Sequence, residues 1–420
     1  MKKVIIFVLL LLTIIYPNGV VFAQEDNQNT NTQESTKSNE NNDDSTSSDT
    51  NTDNNEENSN VELISNALSG ILIEANSGKI IFEKEKDKQV AVASMTKMVA
   101  QIIILENIEK GNIKWDQEVT VSKNAADMGG SQIYISEGEK ITVRDLMKGI
   151  SMASGNDATV QMAEVISGSE ANFVKLMNKK VKELGLKNTV FKNATGLDED
   201  GHFSTAYDMA MIARELVVNH PQILEFSSVY EDYLREDTDN KFWLVNTNKL
   251  VRYYEGADGL KTGHTDAAKY CLAATAKKNN LRLIGIVLGE ENSKTRNSEA
   301  MALLDYGFNS VKFNTLKKKG EVVKKVKLDK ANVEEVNLVL GEDLGVMEEK
   351  TATKHKYTYQ VKVDDIKLPL KKGTIVGKVI VKDNKKEVSS SNLVISRNVN
   401  NISYFNLVID GLKNIISGRL

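Results

Sequence analysis

The apolar positions of this chain fall into runs of different length and period, and each run predicts a different element. Residues 4–15 are apolar but for Thr13 behind Lys2 and Lys3, and they are followed by Pro17, Gly19 and Val21-Phe22-Ala23. A run of about twelve residues is short of the roughly twenty needed to cross a bilayer. Residues 1–23 therefore read as a secretory signal peptide cleaved after Ala23, and the protein is expected at the extracytoplasmic face of the membrane or in the cell wall. From 24 to 60 apolar residues disappear: the stretch is Asn, Ser, Thr, Gln and acidic residues, with Lys37 its one cation. Such a segment has nothing to bury and is expected to be a disordered, self-repelling acidic tether.

Regular patterning begins at residue 61. Ile71-Leu72-Ile73 and Ile80-Ile81-Phe82 flank the turn signal Asn76-Ser77-Gly78, which predicts a hairpin over 68–83. Met95, Met98, Val99, Ile102 and Leu105 then recur at helical spacing up to Gly111, and further helices fit 142–152, 158–166 and 172–184. Strand patterns return at 269–277 and 281–288, joined across Lys278-Asn279-Asn280, and a last helix fits 296–305. Strands at both ends with helices between them imply an α+β domain over 61–310, in which an antiparallel sheet is closed by the first and last segments and flanked by helices. Beyond it, short alternating runs at 322–328, 357–363 and 374–381 predict a small β-sandwich over 311–400. In residues 402–420, Phe405, Val408, Ile409, Leu412, Ile415 and Ile416 share one helical side, opposite Asn406, Asp410, Lys413, Asn414 and Ser417. The segment 401–420 is thus expected to be an amphipathic helix lying on a membrane surface; the alternative is a terminal helix docked on its own domain.

Charge and cysteine content narrow the function. The formal net charge of −4 is dominated by the tether; without it the folded part is mildly positive, which gives no reason to expect nucleic-acid binding. Cys271 is the single cysteine, so an exported chain has no internal disulfide, and its place in an apolar run marks it as a core residue. His202, His220 and His355 lack metal-ligand spacing, and no glycine-rich phosphate loop occurs, so neither a metal nor a nucleotide cofactor is expected.

Three short motifs carry chemistry. Ser94-Met95-Thr96-Lys97 places a hydroxyl and an amine three residues apart at a helix start, on one face within one turn. Alone this pattern also fits a helix cap followed by a surface lysine. Ser154-Gly155-Asn156 falls between two expected helices, and Lys261-Thr262-Gly263 precedes the late hairpin. In this order, with helices between, the three resemble the signature of the serine penicillin-recognising enzymes.

The resemblance extends to the D-alanyl-D-alanine carboxypeptidases, the low-molecular-mass penicillin-binding proteins. It runs through Phe191-Lys192-Asn193-Ala194-Thr195-Gly196-Leu197, Gly201-His202-Phe203-Ser204-Thr205-Ala206-Tyr207-Asp208-Met209 and Lys261-Thr262-Gly263-His264-Thr265. It covers the chain from about Val61 to the C-terminus, since members carry a small β domain and often a terminal amphipathic anchor; the acidic tether lies outside the family pattern. It implies removal of the terminal D-alanine from peptidoglycan stem peptides ending in D-Ala-D-Ala, with β-lactam antibiotics as covalent inhibitors. Ser94 is then the nucleophile and Lys97 its base, which needs an amine whose usual pKa near 10.4 has been lowered by burial and a neighbouring cation. Lys261 supplies the cation that lowers it and attracts the substrate carboxylate, and Thr262 donates to that carboxylate. Ser154 relays the proton to the leaving group, and Asn156 holds the substrate amide. The backbone N–H groups of Ser94 and, beyond Gly263, of His264 form the oxyanion hole. Arg296 stands where the family places a second carboxylate-binding cation.

Two rivals share these features. A class A β-lactamase should add a deacylating glutamate, but no Glu-x-x-Leu-Asn segment lies between Ser154 and Lys261. A noncatalytic wall-binding or β-lactam-sensing protein has no need of intact Ser94, Lys97, Ser154 and Lys261.

Overall fold

A computed structural model describes residues 63–236, 238–349 and 356–402. The signal peptide, the tether and nearly all of the expected terminal helix lie outside these residues.

The frame of the site is a five-stranded antiparallel sheet in the order Ile80–Lys84, Ser69–Glu74, Leu281–Glu290, Lys269–Lys278 and Ala257–Thr265. Its first and last segments meet directly, Ile71 opposite Ile286 and Ile73 opposite Ile284, so the sheet is closed as the patterning implied. The central strands are apolar on consecutive residues because both faces are covered. Ile71, Ile73, Ala273 and Ile286 pack into the larger core with the helices Lys97–Glu109 and Ala206–Asn219. Leu72, Leu272, Leu283 and Val287 pack on the other side, under the helix Ser293–Ser310.

Several elements depart from the expected pattern. The stretch 142–152 is an α-helix only over Val143–Lys148 and then widens into a π turn, Gly149–Ala153. The helix Ala206–Asn219, capped by Thr205 accepting from the Asp208 N–H, was not anticipated. Nor was the strand Ala257–Thr265, whose polar and glycine-containing sequence hides its role as the sheet's outer edge.

The C-terminal part is all β. Five strands run in the order Val322–Lys327, Glu335–Leu340, Lys386–Ile395, Ile375–Asp383 and Tyr357–Val363, beside a two-stranded ladder of Val311–Lys317 with Leu344–Glu349. Leu338, Leu340, Val346, Val379, Val381 and Leu393 fill the core. Asn401 bridges Ala331, and the Ile402 N–H donates to the Lys330 carbonyl, so the pairing of this region continues past the expected boundary at 400.

Candidate active site

Ser94 lies in a single 3₁₀ turn, Ala93–Thr96, and Lys97 begins the α-helix Lys97–Glu109. The tighter turn matters, because side chains three apart eclipse one another in 3₁₀ geometry. Lys97 Nζ donates to Ser94 Oγ at 2.8 Å and to the Thr195 carbonyl at 2.6 Å. Lys97 is fully buried. Burial holds its pKa well below the ordinary value, the Lys261 charge adds to that, and Asp157 opposes it. The sequence assigned this lowering to a neighbouring cation as much as to burial; here burial dominates.

The Thr195 carbonyl is placed by a loop that Asn193 organises, its Oδ1 accepting from the N–H groups of Thr195 at 3.3 Å and Gly196 at 2.7 Å. Gly196 has φ +85, and a Cβ there would lie 2.0 Å from the Ala93 carbonyl oxygen. Only glycine lets this loop close against the Ser94 turn.

The π turn sets the second motif. It ends at Ser154 in the left-handed region, φ +63, and leaves Ser154 Oγ buried without a hydrogen-bond partner among the described residues. A buried hydroxyl with no partner is costly and is found where chemistry needs it. Asn156 opens the helix Asn156–Ser167, its Nδ2 donating to the Gly129 carbonyl at 2.7 Å. Asp157, which sequence reasoning missed, accepts from the N–H groups of Ile133 and Ile135 at 3.0 and 3.3 Å and thereby fixes the loop facing Asn156. An acidic residue in the first turn of a helix was the available signal.

The third motif lies on the edge strand. A Cβ at Gly263 would fall 2.7 Å from the Val92 carbonyl oxygen and 3.3 Å from the Ser94 nitrogen, so the strand runs directly beside the Ser94 turn. Lys261 is buried, with Nζ donating to the Thr262 carbonyl at 2.8 Å. Burial, and next the Arg296 charge, pushes its pKa down to about 7. Thr262 Oγ1 donates to Thr247 Oγ1 at 2.8 Å. His264 is exposed, its ring lying on Tyr270 with centroids 4.1 Å apart. Arg296, nearly buried, meets the Asn297 side chain through Nε at 3.1 Å and Nη2 at 2.8 Å, and it is electrostatically felt by Lys261. Lys97, Lys261 and Arg296 are thus three buried basic groups: the Lys261 charge depresses Lys97, the Arg296 charge depresses Lys261, and the charges of Lys261 and Arg296 favour an incoming anion.

The remaining sequence candidates fall elsewhere. The Cys271 thiol is buried and pushed up to about 12, which leaves it a neutral core residue. His202 Nδ1 accepts from the Lys192 N–H at 3.3 Å, so Nε2 carries the proton and donates to Thr96 Oγ1 at 2.8 Å. Burial lowers its pKa to about 4 and keeps the ring neutral. His202 therefore buttresses the Ser94 turn through Thr96, a role its sequence position did not disclose. His220 Nδ1 meets Glu109 Oε1 at 2.9 Å, and His355 lies outside the described residues. Among the described residues no group of three or more His, Cys, Asp or Glu side chains could hold a metal ion.

Comparison with known proteins agrees with this geometry. Residues 50–292 match the D-alanyl-D-alanine carboxypeptidase family, and residues 312–401 match the C-terminal domain of penicillin-binding protein 5. The D-alanyl-D-alanine carboxypeptidase DacF of Bacillus subtilis is 46% identical over 331 residues, 79% of this chain and 85% of the relative. The crystal structure of penicillin-binding protein 5 from Haemophilus influenzae superposes with a TM-score of 0.60 at 30% identity, covering 80% of this chain and 98% of that one. Penicillin-binding protein D2 of Listeria monocytogenes in its ampicillin-bound form gives 0.52 at 31% identity, over 58% of this chain and 97% of that one. A family match over residues 50–292, more than half of the chain, and 46% identity to a relative over 79% of the chain make the assignment: this chain belongs to the D-alanyl-D-alanine carboxypeptidases.

Proposed function

We propose that the chain is an exported serine carboxypeptidase that removes the terminal D-alanine from peptidoglycan stem peptides through an acyl-enzyme on Ser94, and that β-lactams acylate the same oxygen. The observation that carries this reading is the 2.8 Å hydrogen bond between Ser94 Oγ and an amine whose burial favours the uncharged form.

The substrate enters as an extended peptide beside the edge strand Ala257–Thr265, which no further strand among the described residues covers; Asp258 and Gly259 already accept from Ser227 and Asn248, so the peptide pairs at the Lys261–Thr265 end. Its terminal carboxylate is drawn to Lys261 and Arg296 and accepts from Thr262 Oγ1, which turns from Thr247. Asn156 holds the amide ahead of the scissile bond. Lys97 takes the Ser94 proton as Oγ bonds to the penultimate carbonyl carbon, and the oxyanion accepts from the backbone N–H groups of Ser94 and His264. The C–N bond breaks as the proton passes from Lys97 through the Ser154 hydroxyl to the departing D-alanine amine. Water then attacks the ester, Lys97 takes its proton, and Ser94 leaves with a hydrogen restored. Arrival of the carboxylate also raises Lys261 toward its charged form, which keeps Lys97 neutral until it takes the Ser94 proton.

With residues 1–23 removed on export, the catalytic part would work at the extracytoplasmic face, joined to its surroundings by the tether at 24–60 and by the expected terminal helix, which begins no earlier than residue 403 because Asn401 and Ile402 pair with the β domain. Among the described residues no helix is long and apolar enough to cross a membrane. Deleting 402–420 should abolish binding to lipid vesicles.

Incubating the protein with a pentapeptide ending in D-Ala-D-Ala and measuring free D-alanine tests the activity. Release by the wild type and none by Ser94→Ala is expected; equal release from both sinks the Ser94 mechanism.

A further inference from the structure

The aromatic residues on the hairpin Glu231–Leu234 and Phe242–Val245 have no task in the reaction, yet they stand out on the surface. Trp243 is 56% exposed, and Tyr233, directly across the ladder, is 38% exposed; the opposite face of the hairpin buries Leu234 and Leu244. Tyr134, 64% exposed with φ +53, packs edge-to-face on Phe242, ring centroids 5.7 Å apart; Phe242 pairs with Leu234, so Tyr134 braces the hairpin from the face opposite Trp243 and Tyr233. Lys241 Nζ sits 3.8 Å above the Tyr233 ring, placing a donor at the margin of the patch.

Each part is tied to a catalytic group. Two residues past the hairpin, Thr247 accepts from Thr262 through its hydroxyl and donates its N–H to the Met152 carbonyl in the π turn ahead of Ser154. Tyr134 follows Ile133, whose N–H is fixed by Asp157. Arg235 clamps the two lips together, donating to the carbonyls of Ile133 and Tyr134 and pairing with Glu139 at 2.6 Å. The patch is therefore a braced platform continuous with the cleft.

We infer that this platform stacks against the glycan strand from which the stem peptide hangs. The inference rests on the carboxypeptidase reading, which makes a glycan-borne peptide the substrate. Distance supports it: Trp243 lies four residues from Thr247, at most about 13 Å of chain, and an extended pentapeptide with its C-terminus at the cleft spans about 17 Å. The sugar end of the substrate is thus within reach of the hairpin. Flat, exposed rings with a polar tip or a cation at the margin suit a pyranose, which presents an apolar C–H face and hydroxyls at its rim.

The chain has two tryptophans, and Trp115 is packed against Phe226 under Arg144. In a Trp115→Phe, Ser94→Ala protein, Trp243 is the only indole and no turnover occurs. Titration with a peptide-free N-acetylglucosamine–N-acetylmuramic acid tetrasaccharide should change its fluorescence saturably. In proteins that retain Ser94, kcat/KM for a glycan-linked pentapeptide should exceed that for the free pentapeptide, and Trp243→Ala should cut this preference about fivefold. An unresponsive Trp243, an unchanged preference in Trp243→Ala, or a response to lipid vesicles instead of the sugar overturns the inference. The titration needs no catalysis, so it stands even where D-alanine release fails.

Discussion

Lys97 Nζ lies 2.8 Å from Ser94 Oγ and 2.6 Å from the Thr195 carbonyl, with no solvent contact. An ammonium in that position has two acceptors but is deprived of water. A neutral amine can donate to the carbonyl and turn its lone pair toward the hydroxyl, which is the state a general base requires.

The orphan hydroxyl of Ser154 separates function from stability. Because Ser154 Oγ has no hydrogen-bond partner among the described residues, Ser154→Ala gives up no bond there and should change thermal stability by no more than about 1 kcal/mol. Loss of the relay should lower kcat on the pentapeptide roughly 10²-fold or more. Melting and turnover measured on the same preparation decide it; a large drop in melting temperature contradicts the geometry described for Ser154.

Stability should depend on pH through Lys261. Its pKa is about 7 folded against 10.5 in the free side chain, so between those values the unfolded chain binds more protons than the native one. Stability attributable to this group therefore rises with pH from about 7 to about 10.5, and the full cost of burying the cation is present below 7. Lys97, shifted in the same direction, adds to the trend. Lys261→Met should melt above the wild type near pH 6, with the gap closing toward pH 10. A gap that widens with pH contradicts the shift.

The same residue should shape the pH dependence of catalysis. The free-enzyme profile of kcat/KM should fall on the alkaline side as Lys261 loses its charge, from about pH 7 upward. Lys261→Arg, which stays charged, should move that limb to higher pH even if its peak rate is lower. A limb unmoved by the substitution removes Lys261 as the carboxylate-binding cation.

Glycine at 196 is demanded by space as well as by φ. Gly196→Ala drives a methyl to within 2.0 Å of the Ala93 carbonyl oxygen and should displace the Ser94 turn, costing about 2 kcal/mol or more and most of the reactivity toward a fluorescent penicillin. Gly111→Ala, also at positive φ but in open space, should cost about 1 kcal/mol and leave labelling intact. Comparable labelling of both variants would show that the Gly196 contact does not position Ser94.

Much of this arrangement was legible in the sequence. The order of the three motifs, the first hairpin, the late hairpin and the closing of the sheet follow from local period and turn residues, which act over a few positions. What remained hidden depends on residues far apart in the chain. The π turn that aims Ser154 inward and the Thr195 carbonyl that shares Lys97 leave no periodic trace. The strand Ala257–Thr265 carries Asp258, Gly259, Lys261 and Gly263 in place of β-formers, because a site is built along it. The anchoring of loop 133–135 by Asp157 likewise appears only once two distant segments meet.

The central claim is that Ser94 is the acylated residue, and the most direct measurement is the mass of the protein after brief exposure to ampicillin, followed by peptide mapping. A single, slowly lost adduct on the peptide carrying Ser94, absent from Ser94→Ala, is the predicted result. An adduct on another residue, or rapid repeated turnover of the antibiotic with no adduct, would contradict it.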